Sequence, residues 1–509
     1  MMEYPAPTPL DPRAPPTTSL RTAVVDVELD GALAPLEGLD GYGLALVVAR
    51  RHGVPVGSAT VPLVAGRCSA ETLAAALLDR HADTLLERLG ANWVRWEPGR
   101  RGPLDVGALL ALPPAPEEPA EPLPSVTLAV CTRDRPEELA LCLNAIAALD
   151  YDRLDVLVVD NAPATEATAE LVRSRYPWAR YVREPRPGLD WARNRAILEA
   201  RGELLAFTDD DVVVEPGWVR ALARVFAEAP EVGCVTGLVI PFELETEAQR
   251  LFEKYGGFTR GFRRRWFSVE PRRLSRHARH HGAGEFGTGA NMAFRRSLFD
   301  EIGGFDPALD VGTATNGGGD LEMFFRVLQE GYALVYEPAA VVRHRHRREY
   351  AELRHQLSQW GMGFVGYVTR SAIAYPRELP AFLDLMLWWW TRYVAGRAAR
   401  SLLGRRSGVP LELLRGEIRG ALAGVPRYGI AARAAAAVAA QYPDQPTFPA
   451  TPMPGRTRRA IRPGAVAVRT AELHDVPRPL SGLDGYATAL VYVTADGRPR
   501  ASEHLPVAG

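Results

Sequence analysis

From Ser125 onward the chain alternates short apolar runs with stretches of helical spacing. Val126 to Cys131, Val156 to Val159, Tyr181 to Arg183 and Leu204 to Thr208 read as strands. Pro136 to Leu149, Glu166 to Arg175 and Ala192 to Ala200 read as the helices between and after them. That order predicts βαβ units, an α/β class and a mostly parallel sheet. Open sheets of this class bind ligands beyond the carboxyl ends of their strands, which singles out Thr132 to Arg135, Asp160 with Asn161, and Asp209 to Asp211.

Three proline-rich stretches punctuate the chain: the amino-terminal tail, Pro113 to Pro124 with six prolines in twelve residues, and Pro443 to Pro463. Proline fixes φ and favours extended spacers, so these read as linkers. They divide the chain into a tail (1–20), a β-rich module with a helix (21–112), a linker (113–124) and a central α/β domain (125–348). A helical extension (349–441), a linker (442–463) and a second β-rich module (464–509) follow. The two modules are related. Gly38-Leu-Asp-Gly-Tyr42 recurs as Gly482-Leu-Asp-Gly-Tyr486 at a constant offset of 444 residues, with Glu28 matching Glu472, Pro35 Pro479, Gly53 Gly497 and Pro55 Pro499. Both are expected to form small β-hairpin units. The first continues into a helix, Ala70 to Leu89, with Ser69 as its N-cap; the second stops short of one. Neither module clusters titratable or metal-binding groups, which leaves the chemistry to the central block.

Composition narrows the classes further. With 60 basic and 61 acidic residues the chain is neither a globally basic nucleic-acid binder nor an acidic solvating chain, and 47% apolar residues suffice for a large core. Cys68, Cys131, Cys142 and Cys234 lie far apart without CxxC spacing, so neither a disulfide framework nor a zinc site is indicated. Met1 to Pro16 is proline-rich and has no secretory h-region. Ala381 to Leu403, the most hydrophobic stretch, carries Asp384, Arg392, Arg397 and Arg400 and is expected not to span a bilayer. The expectation is a soluble, cytoplasmic protein. Trp388 to Trp390 reads as part of a core helix, with contact at the inner face of a membrane as the second reading. Arg260 to His281 holds eight arginines and three histidines; a neutral chain argues against nucleic-acid binding, a solvated charged loop is the plainer reading, and in a group-transfer enzyme such a loop would suit steering of an anionic acceptor.

Glycine-rich phosphate loops of the P-loop and dinucleotide-binding kinds are missing after the first strand. Instead Leu204 to Thr208 runs into Asp209, Asp210 and Asp211. Alternate residues of an extended segment share a face, so Asp209 and Asp211 point together and Asp210 points away. Two carboxylates on one face repel unless a cation or proton sits between them, and Mg2+ or Mn2+ suits such oxygen donors. A solvated acidic turn is the plainer alternative.

Taken in order, Ser125 to Pro136, Val158 to Asn161, Arg186 to Asn194 and Asp209 to Asp211 resemble the motifs of family 2 glycosyltransferases. Gly287 to Arg296, Gly303 to Asp306, Gly318 to Glu322 and Gly331 to Pro338, with His344 after them, extend the resemblance over roughly Ser125 to Arg348. It implies a GT-A fold and inverting, metal-dependent transfer, with Mn2+ or Mg2+, from a UDP-, GDP- or dTDP-sugar. A glycan or lipid-linked glycan hydroxyl in cell-envelope or polysaccharide synthesis would be the acceptor. Residue by residue, it implies donor contacts for Thr132, Arg135, Asp160, Arg193, Asp209 and Asp210, and metal contacts for Asp211 and His344. It implies catalytic-base duty for Asp320 and acceptor contacts for Asn291, Gly319 and Glu322. The glycine-rich segment Gly312 to Gly319 reads as potentially mobile. One departure stands out: Gly319 occupies a position where the family commonly has glutamate. A non-catalytic nucleotide-sugar or glycan-binding scaffold is the rival reading, and a nucleotidyltransferase the enzymatic one.

Overall fold

The computed structural model describes residues 21–93, 123–268, 282–403, 409–448, 466–472, 488–495 and 498–506. The tail, residues 113–122 of the second proline-rich stretch, residues 449–463 of the third, residues 269–281 of the arginine-rich segment and the Gly482 to Tyr486 match lie outside the described residues.

At the amino end β1 (Thr22–Glu28), β2 (Leu44–Arg51) and β3 (Val54–Pro62) form a three-stranded sheet, followed by helix α1 (Ala70–Trp93). Ser69 Oγ accepts from the Thr72 amide at 3.2 Å, the N-cap bond the sequence calls for. The central block then runs β4 (Val126–Thr132), α2 (Pro136–Ile146), β5 (Leu154–Asn161), α3 (Ala167–Arg175), β6 (Arg180–Glu184), α4 (Leu189–Glu199) and β7 (Leu204–Asp209). It continues through β8 (Val212–Val214), α5 (Trp218–Glu228), β9 (Val232–Pro241), α6 (Glu247–Tyr255), β10 (Arg265–Phe267), β11 (Met292–Arg295), α7 (Gly319–Gln329) and β12 (Ala333–His344).

These strands make one nine-stranded sheet in the order β10-β12-β9-β11-β7-β4-β5-β6, with β8 paired to β12. β7, β4, β5 and β6 are parallel, as expected, and every residue of β4 is buried, the mark of a strand covered on both faces. In the other half β9 and β12 also pair in parallel, while β11 is antiparallel to both β7 and β9, and β8 and β10 are antiparallel to β12, so the sheet is mixed.

The extension consists of α8 (Tyr350–Ala374), α9 (Leu379–Trp388), α10 (Ala395–Leu402) and α11 (Leu411–Gln441), with one π-helical turn, Trp389–Val394, joining α9 to α10. α8 and α11 touch backbone to backbone: a Cβ on Gly420 would fall 1.9 Å from the Ser358 carbonyl oxygen, so only glycine fits. Trp389 is buried against Phe364, as a core helix requires, while Leu379, Leu383 and Leu387 of α9 are exposed. No helix among the described residues is long and apolar enough to cross a membrane.

The carboxyl-terminal strands β13 (Val466–Glu472), β14 (Thr488–Ala495) and β15 (Arg498–Pro506) repeat the first sheet in topology and register. Thr22 pairs with Leu44 and Leu44 with Pro62; at the offset of 444, Val466 pairs with Thr488 and Thr488 with Pro506. Even the irregularity after Ala49 recurs after Val493. The expected hairpin is β2–β3 and β14–β15; β1 and β13 each add a parallel third strand. The amino-terminal module packs on the central block. Thr22 N–H bonds the Leu244 carbonyl at 3.0 Å, Tyr42 Oη donates to Glu245 at 2.7 Å, and Arg50 reaches Glu215 at 2.6 Å. Val48 enters the central core itself.

Candidate active site

Sheet register builds the first part of the site. β7 ends at Asp209, residues 210–211 turn, and β8 returns along β12 with Val212 opposite His344. That pairing brings Asp209, Asp211 and His344 together, with one ligand atom from each lying within 4.8 Å of the others. Asp209 and Asp211 do converge while Asp210 diverges, but a turn, rather than an extended strand, is what separates them. Burial, and then the charge of Asp211, push Asp209 up to about 6. Burial lowers His344 to about 4, which leaves its imidazole neutral and able to coordinate. His344 Nε2 lies 3.4 Å from Asp211 Oδ1, a buried oxygen without a hydrogen-bond partner among the described residues. Two carboxylates, one imidazole and an unpartnered buried oxygen fit a hard divalent cation.

Asp210 turns the other way. Its Oδ1 accepts from Arg135 Nη1 at 2.6 Å and its Oδ2 from the Thr132 hydroxyl at 2.8 Å, so the three residues brace the end of β4 against the end of β7. Burial pushes Asp210 up to about 7, with Arg135 pulling the other way. Asp210, expected as a donor contact, thus has both oxygens engaged within the protein. Arg135 also approaches Asp211 Oδ2 at 3.4 Å. Asp160, at the end of β5, is buried, accepts from Tyr181 Oη at 2.8 Å and keeps Oδ1 unpartnered among the described residues. Burial raises its pKa.

The second part of the site surrounds Arg193. Its Nη1 donates to Asp190 Oδ1 at 3.0 Å. Burial works against its charge, but Asp190, Asp209 and Asp320 together outweigh that and raise its pKa. Asp320 opens α7: its Oδ1 accepts from the Leu321 amide and its Oδ2 from the Gly289 amide, both at 2.9 Å. Gly289 can approach because it lacks a Cβ, which would lie 2.6 Å from Arg193 Nη2. Gly319 is likewise closed in, with Asp190 Oδ2 2.1 Å from its would-be Cβ. Asp310 accepts from the amides of Leu189 at 2.6 Å and Asp190 at 2.9 Å, capping the start of α4 from 120 residues away in the chain. The segment Gly312 to Gly319 is clamped rather than mobile at its far end: Thr315 is buried and a Cβ on Gly318 would meet the Gly363 carbonyl of α8 at 2.5 Å.

Asn291 and Glu322, which the resemblance implies as acceptor contacts, both lie inside the protein. Asn291 is fully buried; its Nδ2 donates to the Leu238 and Ala340 carbonyls at 3.0 and 2.8 Å, and its Oδ1 accepts from Trp218 Nε1 at 2.8 Å. It fills the irregularity between β9 and β12, leaving no polar atom for a ligand. Glu322 is fully buried as well, paired with Arg326 and with Arg370 at 2.7 Å. In the described part of the arginine-rich segment, Arg260 Nε donates to the Gly284 carbonyl at 2.8 Å, and Arg264 pairs with Glu228 and Glu337. Those two guanidiniums hold the fold. The reading of the sequence missed Asp190, Asp310 and the pair His346–Glu253. Asp190 carried one signal, its i,i+3 spacing from Arg193 in the helix; Asp310 carried none.

Residues 127–303, all within the central block with its mixed α/β sheet, match the family model Glycosyl transferase family 2. The glucosyl-dolichyl phosphate glucuronosyltransferase of Haloferax volcanii is 22% identical over 191 residues, covering 36% of this chain and 56% of that protein. The pre-mycofactocin glycosyltransferase of Mycobacterium tuberculosis is 26% identical over 198 residues, 38% of either chain. This chain thus spans little more than half, or less, of these relatives. Among solved structures, a mannosyltransferase from Pyrobaculum calidifontis in complex with GDP-Man and Mn2+ is similar at 18% identity and a TM-score of 0.40, over 67% of this chain and 94% of that one.

Proposed function

We propose that the protein transfers a sugar, with inversion, from a nucleotide-sugar to an acceptor hydroxyl. The observation that supports this most is the placement of Arg193 between two acidic centres, Asp209 of the Asp209–Asp211–His344 group and Asp320 at the head of α7. A divalent cation, Mn2+ or Mg2+, held by Asp209, Asp211 and His344 would neutralise charge gained by a leaving diphosphate. Asp320 takes the proton of the attacking hydroxyl. Its carboxylate is aimed by the Gly289 and Leu321 amides, and each oxygen retains a free lone pair for the transfer. Asp160 Oδ1, buried and without a hydrogen-bond partner among the described residues, suits an N–H of the donor's base. Arg135 and Thr132 hold the adjoining loop in shape through Asp210.

Displacement at an anomeric carbon needs the donor in line and water kept out. Thr315, Gly318 and Gly319, packed in at the far end of the 312–319 segment, and the close Gly289–Arg193 contact supply a wall for that purpose. A lipid-phosphate-linked acceptor, of the kind named for the Haloferax relative, accords with the exposed Leu379, Leu383 and Leu387 and with Arg392 and Arg400 beyond them, a combination that suits an anionic lipid surface. Retention in the supernatant with anionic liposomes would end that part of the reading.

The test is a turnover panel of UDP-, GDP- and dTDP-sugars with and without Mn2+, on the wild type and Asp211→Ala. Metal-dependent release of one nucleoside diphosphate, lost in the variant, is expected. Neither turnover nor a metal-dependent thermal shift with any nucleotide would favour a non-catalytic scaffold.

A further inference from the structure

Behind the Asp209–Asp211–His344 group lies a chain of hydrogen bonds for which the proposed reaction has no use. His344 Nε2 faces Asp211, and its Nδ1 lies 3.2 Å from Nδ1 of His346. His346 Nε2 in turn lies 2.8 Å from Glu253 Oε1. The ring nitrogens cannot share protons arbitrarily. A carboxylate oxygen only accepts, so His346 Nε2 carries a proton and donates it to Glu253. In a neutral His346 the other nitrogen, Nδ1, is then a lone pair, and the contact at 3.2 Å requires His344 Nδ1–H as its donor. That leaves the lone pair of His344 on Nε2, the atom turned toward Asp211.

The surroundings hold this chain in place. Helix α6 opens with a reciprocal capping box of Thr246 and Gln249, and Gln249 Nε2 also donates to the His346 carbonyl at 3.3 Å. One turn later on the same face stands Glu253, so α6 grips residue 346 by both backbone and ring. Phe252 packs on His346 with ring centroids 4.4 Å apart, Phe258 packs on His344 at 5.0 Å, and Trp360 closes over both phenyl rings. His346 is nearly fully buried within them. Gly257 keeps the far side open, since a Cβ there would lie 2.8 Å from Glu253 Oε1.

We propose that Glu253 and His346 are positioning residues: they fix the ring orientation and tautomer of His344 so that Nε2 is presented as a ligand beside Asp209 and Asp211. An outer partner on the second nitrogen of a ligating histidine sets its orientation and basicity, and its loss typically lowers metal affinity about 10–100-fold. The inference rests on the metal reading given above only for its affinity arm.

Two measurements on the full chain test it. Heteronuclear NMR of the metal-free, histidine-labelled wild type at about pH 8, where unperturbed imidazoles are neutral, reads the tautomer directly. The His344 signals are those missing in His344→Gln. A proton on Nδ1 is expected; a proton on Nε2 overturns the proposal. In the second measurement, Mn2+ is titrated in the presence of a nucleoside diphosphate into the wild type, Glu253→Ala and Asp211→Asn. About 10–100-fold weaker binding by Glu253→Ala is expected, with a larger loss in Asp211→Asn. Unchanged affinity in Glu253→Ala beside a clear loss in Asp211→Asn overturns the relay and leaves the metal reading standing. Failure of the wild type to bind Mn2+ overturns the metal reading instead, and the tautomer measurement alone then decides the relay.

Discussion

The carboxylate of Asp190 stands where a side chain on residue 319 would stand, its Oδ2 2.1 Å from the position of a Cβ on Gly319. The glutamate that the resemblance implies at position 319 is absent here, and an acid from α4 fills that space. Gly319→Ala should therefore cost about 1–3 kcal/mol, the usual range for overpacking a tight interior. Adding Asp190→Ala should return part of that loss, with a coupling of about 0.5–3 kcal/mol in a double-mutant cycle read by urea denaturation. Strictly additive costs would show that the two positions do not compete for space.

Legibility from the sequence followed a physical line. Strands β4 to β7 and their helices could be read because each is a local pattern: an apolar run, a turn residue, a helical period. The kinship of the end modules could be read because backbone register follows residue identity, down to the irregularity after Ala49 and Val493. The antiparallel entry of β11 was hidden, since its four residues carry no directional signal. The burial of Asn291 and Glu322 was hidden for a related reason: a motif gives the residue type but not the face it occupies. Asp310 reaches α4 across 120 residues, a distance over which periodicity says nothing.

That Asp310 cap has a pH signature. Burial pushes Asp310 up to about 7 from an ordinary value of 3.8, with the amides of Asp190 and Leu189 pulling the other way. Because the folded chain holds this proton more tightly than the unfolded one, the stability it confers is complete below about pH 4 and is lost as pH rises through about 7. In metal-free protein, Asp310→Asn should flatten the decline in unfolding free energy across that window, besides a constant cost of about 0.5–2 kcal/mol for a weakened cap. Parallel pH profiles for the two proteins would rule this linkage out.

The amino-terminal module should share the stability of the central block through Glu215, which follows β8. Its Oε1 takes Arg50 Nη2 at 2.6 Å and Arg343 Nη2 at 3.1 Å, and Asp26 completes the network from β1. Glu215→Ala leaves two largely covered guanidiniums facing each other, for a cost of about 1–3 kcal/mol. Calorimetry should show the first module melting apart from the rest in the variant. A single transition at the wild-type temperature would mean that the apolar contacts of Val48 carry the docking alone.

Asp320 has two possible duties, and one substitution separates them. As a structural group it accepts the Leu321 and Gly289 amides, and asparagine, itself a favoured cap, preserves one of those bonds. As a base it must accept a proton, which asparagine cannot do. Asp320→Asn should therefore melt within a few degrees of the wild type and bind the nucleoside diphosphate as before, while kcat falls about 10²–10⁴-fold, the usual worth of a positioned base. Loss of nucleotide binding and stability together, with a proportionate loss of rate, would assign the residue to the architecture of α7 alone. Retained turnover would place proton acceptance on another group.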